Sequence, residues 1–116
     1  MTTEPDSVIS VVDVAGRYRF EARIDGEVAG VAQYLRRGSR VIFTHTEVDP
    51  VFEGRGVGSA LAKGALDAVR AAGGTVEPRC PFIAAYIRRH REYADLVVGV
   101  DGAAAGDGMA GGATGG

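Results

Sequence analysis

The stretch Val48-Asp49-Pro50-Val51-Phe52-Glu53-Gly54-Arg55-Gly56-Val57-Gly58-Ser59-Ala60-Leu61 decides how the rest of the chain is read. Upstream of it, Arg40 to Val48 is rich in β-branched residues and reads as a strand. Downstream, Val57, Leu61, Ala65, Ala68, Val69 and Ala72 recur at helical spacing, with Ser59, Lys63, Asp67 and Arg70 on the other face. Gly54, Gly56 and Gly58 stand at alternate positions at the join. A strand that turns through glycines into a helix offers bare backbone N–H groups at the positive helix end, where a phosphate or pyrophosphate is stabilised. The same glycines would also serve a tight turn that binds nothing, so the loop type must be tested against known patterns.

A P-loop requires Gly, four residues, then Gly-Lys-Ser/Thr. Starting from Gly54, the second glycine position is Ser59, and the pattern fails. A dinucleotide loop requires G-x-G-x-x-G. The last glycine would fall on Ser59 or, one step later, on Leu61. The acidic residue expected about 20 positions on is also missing, because Ala72-Gly73-Gly74-Thr75 lies there.

The remaining pattern, x-G-x-G-x-G after one long strand, resembles the acyl-CoA loop of the GNAT acetyltransferase superfamily, written Q/R-x-x-G-x-G/A. Glu53 takes its first place and Gly56 and Gly58 its last two. Glu53 departs from the pattern and removes one positive contact, which Arg55 could supply instead. Phe43-Thr44-His45-Thr46-Glu47-Val48 before the loop, Pro78-Arg79-Cys80-Pro81-Phe82-Ile83-Ala84-Ala85-Tyr86-Ile87 after the helix, and the ending Arg88-Arg89-His90-Arg91-Glu92-Tyr93-Ala94-Asp95-Leu96 resemble the small single-domain YjdJ-type branch. The resemblance runs from about Val8 to Leu96. It implies acetyl-CoA as cosubstrate. The pyrophosphate would be held by Glu53, Gly54, Arg55, Gly56, Val57, Gly58 and Ser59, and the pantetheine by Val48.

Working outward, Arg17 to Ile24 alternates charged and apolar residues, as a half-buried strand does. Val8 to Val14 is a short apolar-rich lead-in to it. Asp25-Gly26 is a two-residue hairpin signal. Glu27 to Arg36 is the next strand, with Val28, Gly30, Ala32 and Tyr34 on one face, and Arg37-Gly38-Ser39 turns into Arg40 to Val48. Gly73-Gly74 ends the main helix, Thr75 to Pro78 is a fourth strand, and Ile83 to His90 a short second helix. A strand–helix–strand crossover makes the last strand parallel. The expected fold is α+β: an antiparallel three-strand meander, a central helix, a parallel fourth strand and a short C-terminal helix, similar to the GNAT core. Residues 1–7 and 99–116 read as disordered tails, the second because Gly, Ala and Asp cannot bury enough apolar surface. The domain is residues 8–98.

Composition narrows the function classes. The 116 residues suit one domain. A formal net charge of −2 argues against a general nucleic-acid binder. No window approaches the roughly 18 apolar residues of a membrane span, and the acidic N-terminus lacks a signal peptide's apolar core. Cys80 is the only cysteine, so no intrachain disulfide forms, which points to the cytoplasm. One Cys and two distant His make a metal site an unfavourable reading.

Four residues could do chemistry. Cys80 precedes Pro81, a residue favoured at the first helical position. It would therefore cap the second helix, whose positive end favours thiolate. It also follows the fourth strand, at the sheet edge where ligands gather. The alternative is a buried thiol that packs as a small hydrophobe. His45 carries an imidazole, the usual general base, or is a solvent-facing strand residue. Glu47 is a second candidate base, direct or through water. Thr46 and Glu47 also suit a bulge that splays this strand from its neighbour and frees backbone groups for the pantetheine. Tyr86 reads as packing or as an acid for the leaving thiol. Arg88, Arg89 and Arg91 read as a solvated face or as contacts to the adenosine phosphate. The implied activity is acetyl transfer from acetyl-CoA to an unidentified amine, direct or through Cys80. The rival is a non-catalytic CoA-binding or protein-interaction module. A homodimer could cover an exposed sheet edge.

Overall fold

The computed structural model describes residues 8–98, and the two tails lie outside them. Five strands form one sheet: β1 Ile9–Val14, β2 Arg19–Ile24, β3 Glu27–Arg37, β4 Arg40–Val48 and β5 Thr75–Pro78, in that spatial order. The helices are α1, Val57–Ala71, and α2, Pro81–Arg89, followed by a 3-10 segment at Arg91–Leu96. The first four strands are antiparallel and β5 lies parallel to β4. This is the α+β class expected, with one more strand in the meander. The lead-in at 8–14 pairs with β2 from Ile9↔Ile24 to Val14↔Arg19. Its apolar run is too short and too uniform to show a period of two.

The turns follow local chemistry. Asp25 and Gly26 both have positive φ, 51° and 84°, the geometry whose twist matches a two-residue hairpin. At the end of α1, Gly73 (φ 74°) donates to Arg70 O, and Gly74 donates to Val69 O at 2.9 Å. These bonds satisfy carbonyls that the helix end would orphan.

One face of the sheet carries the core. Phe20, Tyr34 and Phe43 cluster with ring centroids 5.3, 6.0 and 6.3 Å apart. Val57, Leu61, Ala62, Ala65, Leu66 and Val69 of α1 close over them, and Ile83, Tyr86, Ile87, Tyr93 and Leu96 complete the same core. The expected helix stripe is therefore rotated slightly. Ala68 and Ala72 are exposed, and Ala62 and Leu66 take their places. Similarly, β3 bulges at Ala29, since Ala22 pairs with Gly30 and Arg23 with Val28. The extra residue buries Ala29 and turns Val28 outward, which breaks the alternation expected there. The other sheet face holds Arg19, Glu21, Arg23, Gln33, Leu35 and Ile42, and Ile42 is buried outside the core cluster.

The α1 helix lies close on β1 because Gly64 has no side chain. A Cβ there would stand 2.6 Å from the Val11 Cβ and 2.7 Å from its Cγ2. Gly64→Leu should therefore destabilise the fold by about 2–3 kcal/mol, net of the roughly 1 kcal/mol that helix propensity returns. The melting temperature should fall by about 10–20 °C. Adding Val11→Gly should recover much of the loss, because the two sites share one contact. Thermal melts of the four proteins of this cycle measure the coupling, and additive losses would show that the crowding does not control the helix position.

Candidate active site

The site begins where β4 leaves β5. The two strands pair only from Arg40↔Thr75 to Phe43↔Pro78. Beyond this point β5 turns away, and the Phe43 carbonyl accepts from both Arg79 N and Cys80 N at 3.0 Å. Opposite, β4 carries one extra residue. Gln33 pairs with His45 and Tyr34 with Phe43, so Thr44 is a bulge. The sequence suggested a bulge at Thr46 and Glu47; it sits two residues earlier, where the strand first loses its parallel neighbour. Bulges bend a strand and raise its twist, and here the bend opens a slot between β4 and the Arg79–Cys80 corner. Backbone groups alternate in direction along a strand. Asp49 N donates to Ala29 O on the β3 side. Thr46 and Val48 therefore turn their N–H and C=O groups toward the slot, where β4 has no strand partner among the described residues.

The slot leads to the glycine loop. Asp49 accepts from Val51 N and starts a 3-10 turn, Pro50–Phe52. Gly54 (φ 82°) and Gly56 (φ 76°) then take left-handed conformations that non-glycine residues rarely adopt. Among the described residues beyond their chain neighbours, nothing stands within 4 Å of where a Cβ would be at either. Gly56 is the N-cap of α1 and has no side chain to cap it. Ala60 N makes the first intrahelical bond, to Gly56 O. The N–H groups of Val57, Gly58 and Ser59 precede it and have no acceptor within the helix. Arg55 lies over the Phe52 ring, 5.7 Å from its centroid. Glu53 is exposed at the end of the turn. Gly58 has a further role: a Cβ there would lie 2.8 Å from Phe82 Cζ, so its bareness lets α2 pack against α1. Gly30 does the same beneath β4, where a Cβ would lie 3.1 Å from Val57 Cγ1.

Cys80 is the N-cap of α2, with Pro81 following as the first helical residue. The thiol is buried, 3% exposed, and its Sγ lies 3.0 Å from the Thr46 Oγ1 across the slot. Thr46 is the site residue that sequence reading passed over. It stood beside His45 as a bulge candidate, with nothing in the sequence linking it to position 80. His45 and Glu47 are on the opposite face of β4. They share it with Gln33, the cross-strand partner of His45, and with Val31, the partner of Glu47. Their side chains meet at 3.2 Å, His45 Nε2 to Glu47 Oε2, and both are more than half exposed. The structure thus brings Cys80 to the core side of the slot and His45 with Glu47 to the open side. It does not bring His45 and Cys80 together. Tyr86 is buried, stacked on His90 at 4.0 Å, and its hydroxyl is pushed up by burial. These contacts place its ring in the core packing. Arg88, Arg89 and Arg91 are exposed.

A sequence profile of the GCN5-related N-acetyl-transferase family matches residues 19–96. The chain belongs to the GCN5-related N-acetyltransferase family. Among solved structures, it is similar to a GCN5-like candidate N-acetyltransferase from Staphylococcus aureus, determined by NMR. The two superpose with a TM-score of 0.60 at 18% identity, over 90% of this chain and 100% of the other. That likeness establishes the shared fold. A nourseothricin acetyltransferase is more distant, with a TM-score of 0.44 and 22% identity over 76% of this chain and 68% of that one. No curated protein matches the chain.

Proposed function

We propose that this chain is an acetyl-CoA-dependent N-acetyltransferase whose cosubstrate runs from the glycine loop into the slot beside β4. The observation that carries the reading is the slot: a central strand with N–H and C=O groups turned to one side and no strand among the described residues to meet them, ending on an uncapped fifteen-residue helix. Buried backbone groups need partners, and a pantetheine arm has two amides to offer. The open space at Gly54 and Gly56 admits phosphate oxygens to the first-turn N–H groups. When bound, the cosubstrate supplies an acetyl group activated as a thioester.

The chain's own residues bind and move a proton. Gly54, Gly56 and the N–H groups of Val57, Gly58 and Ser59 receive the pyrophosphate, with Arg55 adding positive charge. Thr46 and Val48 hold the pantetheine as a strand would. The amine reaches the slot from the open face, where His45 takes its proton and Glu47 keeps the imidazole oriented. Cys80 and Thr46 close the slot on the core side and exclude water. Among the described residues no helix covers the open face, which suits an acceptor larger than a metabolite.

Release of free CoA from acetyl-CoA tests the reading. With a panel of amines, thiol release should rise above the acetyl-CoA-only rate at least tenfold for one or more of them. CoA binding without turnover for any amine would instead identify a non-catalytic CoA-binding module.

A further inference from the structure

The open face of the sheet is more basic than the net charge of the chain suggests, and its charges are ordered. Along β2, the carboxylate of Glu21 is clamped from both sides. Arg23 donates at 2.7 and 3.0 Å and Arg19 Nε at 2.8 Å. Across β4 and β5, Glu77 is held in the same way by Arg40 at 3.0 Å and by Arg79. Both glutamates are buried while their arginines stay partly exposed. The arginines hold both carboxylates below their ordinary range, Arg23 before Arg19 for Glu21, and Arg79 before Arg40 for Glu77. Each triad therefore carries one uncompensated positive charge, and each guanidinium keeps N–H donors that the glutamate does not use.

The register ties these triads to the slot. Arg19 pairs with Gln33, and Gln33 with His45, so the three stand in one row across β2, β3 and β4. Two strand spacings separate Arg19 from His45, about 10 Å. Arg79 stands at the slot itself, where its N–H bonds Phe43 O. Glu47 is the exposed carboxylate beside His45, and Asp49, two residues on, is exposed as well. Among the described residues no helix covers the face, and a groove of about 540 Å³ opens beside Glu47, lined by Val28 to Val31 and by Glu47 to Pro50.

Resting on the proposed activity, we infer that the acceptor is an acidic peptide segment. It lies extended across the open face, with its amine at His45 and a carboxylate about 10 Å away on the Arg19–Glu21–Arg23 triad. Three observations lead there. Small molecules are bound in concave sites that bury most of their surface, whereas the row Arg19, Gln33 and His45 lies outside the groove on uncovered sheet. The two triads repel a polycation and attract an anion. The 10 Å interval corresponds to about three residues of extended chain, so the acidic side chain lies within that distance of the residue bearing the amine.

The test uses the full chain, acetyl-CoA and three N-terminally blocked decapeptides, each with one lysine flanked by Glu and Asp, by Gln and Ser, or by Arg. The acidic peptide should have a kcat/KM at least tenfold above the neutral one, and the basic peptide should be poorest. The advantage should shrink between about 0.05 and 0.5 M salt as screening grows. The triple variant Arg19→Gln/Glu21→Gln/Arg23→Gln removes the triad's one uncompensated positive charge without leaving a buried carboxylate short of a partner. It should raise KM for the acidic peptide about tenfold and leave kcat within twofold. Equal kcat/KM for the three peptides in an active enzyme would overturn the inference and leave the acetyltransferase reading standing. Fluorescence anisotropy of the labelled acidic peptide reads the face without turnover. Binding that the triple variant does not weaken would overturn the inference. Salt-dependent binding that the variant weakens, with no turnover of any amine, would support the face and count against the catalytic reading alone. Sedimentation showing a dimer that excludes the peptide would assign the face to a second copy and overturn the inference.

Discussion

Gly56→Glu should give a folded protein whose affinity for CoA is at least a hundredfold lower. Two effects act together. Gly56 has φ 76°, and any side chain there costs about 1 kcal/mol in backbone strain. The carboxylate would also sit at the helix end where the pyrophosphate is proposed to bind, replacing an attraction with a repulsion. Charge-assisted hydrogen bonds contribute about 1.5–3 kcal/mol each, and about 1.4 kcal/mol is a tenfold change in affinity. Losing two of them exceeds a hundredfold. The control is built into the same helix. Gly73, at the other end of α1, has φ 74° and equally open surroundings. Gly73→Glu should carry a similar backbone cost and leave CoA affinity unchanged. Isothermal titration with CoA, alongside melting curves, separates the two. Equal affinity in a folded Gly56→Glu protein, or equal weakening by Gly73→Glu, would remove the phosphate-loop reading.

That comparison also marks what the sequence can and cannot carry. Backbone geometry at turns was legible because it depends on residues a few positions apart. Asp25-Gly26, Gly54, Gly56 and Gly73-Gly74 all occupy the turns and caps their types favour. The crossover from β4 through α1 to β5 was legible for the same reason, since hydrophobic period and glycine placement are local signals. Bulges were not. An extra residue at Ala29 or Thr44 shows only when the partner strand is known, and each shift of one residue reassigns faces downstream. The faces of Val28 and the position of the β4 bulge were misread on this account. The contact between Thr46 and Cys80 links positions 34 apart, and Gly58 meets Phe82 through the packing of α2 on α1. No period or motif records such pairs. The alternation of Arg19, Glu21 and Arg23 was visible as a strand signal, but its meaning as a buried carboxylate between two arginines required the sheet's second face to be seen uncovered.

The placement of His45 and Cys80 on opposite sides of β4 gives the two transfer routes different mutational signatures. In direct transfer, the base on the open face deprotonates the amine, and His45→Ala should reduce kcat by about a hundredfold, the lower end of general-base effects. Glu47→Gln should cost less, because it only loosens the imidazole held at 3.2 Å. The His45→Ala deficit should narrow as pH rises toward the amine's own pKa, about 8 for a terminal amine and about 10.4 for lysine, since the free amine then needs less help. Cys80→Ala should keep most of the activity on this route, losing only the Thr46 contact and some packing at the base of the slot. In the ping-pong route the order reverses: the Cys80 sulfur accepts the acetyl group from the CoA sulfur, CoA leaves as the thiol, and the amine then displaces the Cys80 thiol. Cys80→Ala would abolish transfer, and incubation with acetyl-CoA alone would leave an acetyl adduct on Cys80, visible as a mass increase on that peptide. The thiol is 3% exposed and held against Thr46, so direct transfer is the expected outcome: no adduct, slow thiol labelling at neutral pH, and a Cys80→Ala enzyme within tenfold of the unaltered protein. An acetylated Cys80 that disappears when amine is added would reverse this assignment, and would require the slot to open on its core side during each turnover.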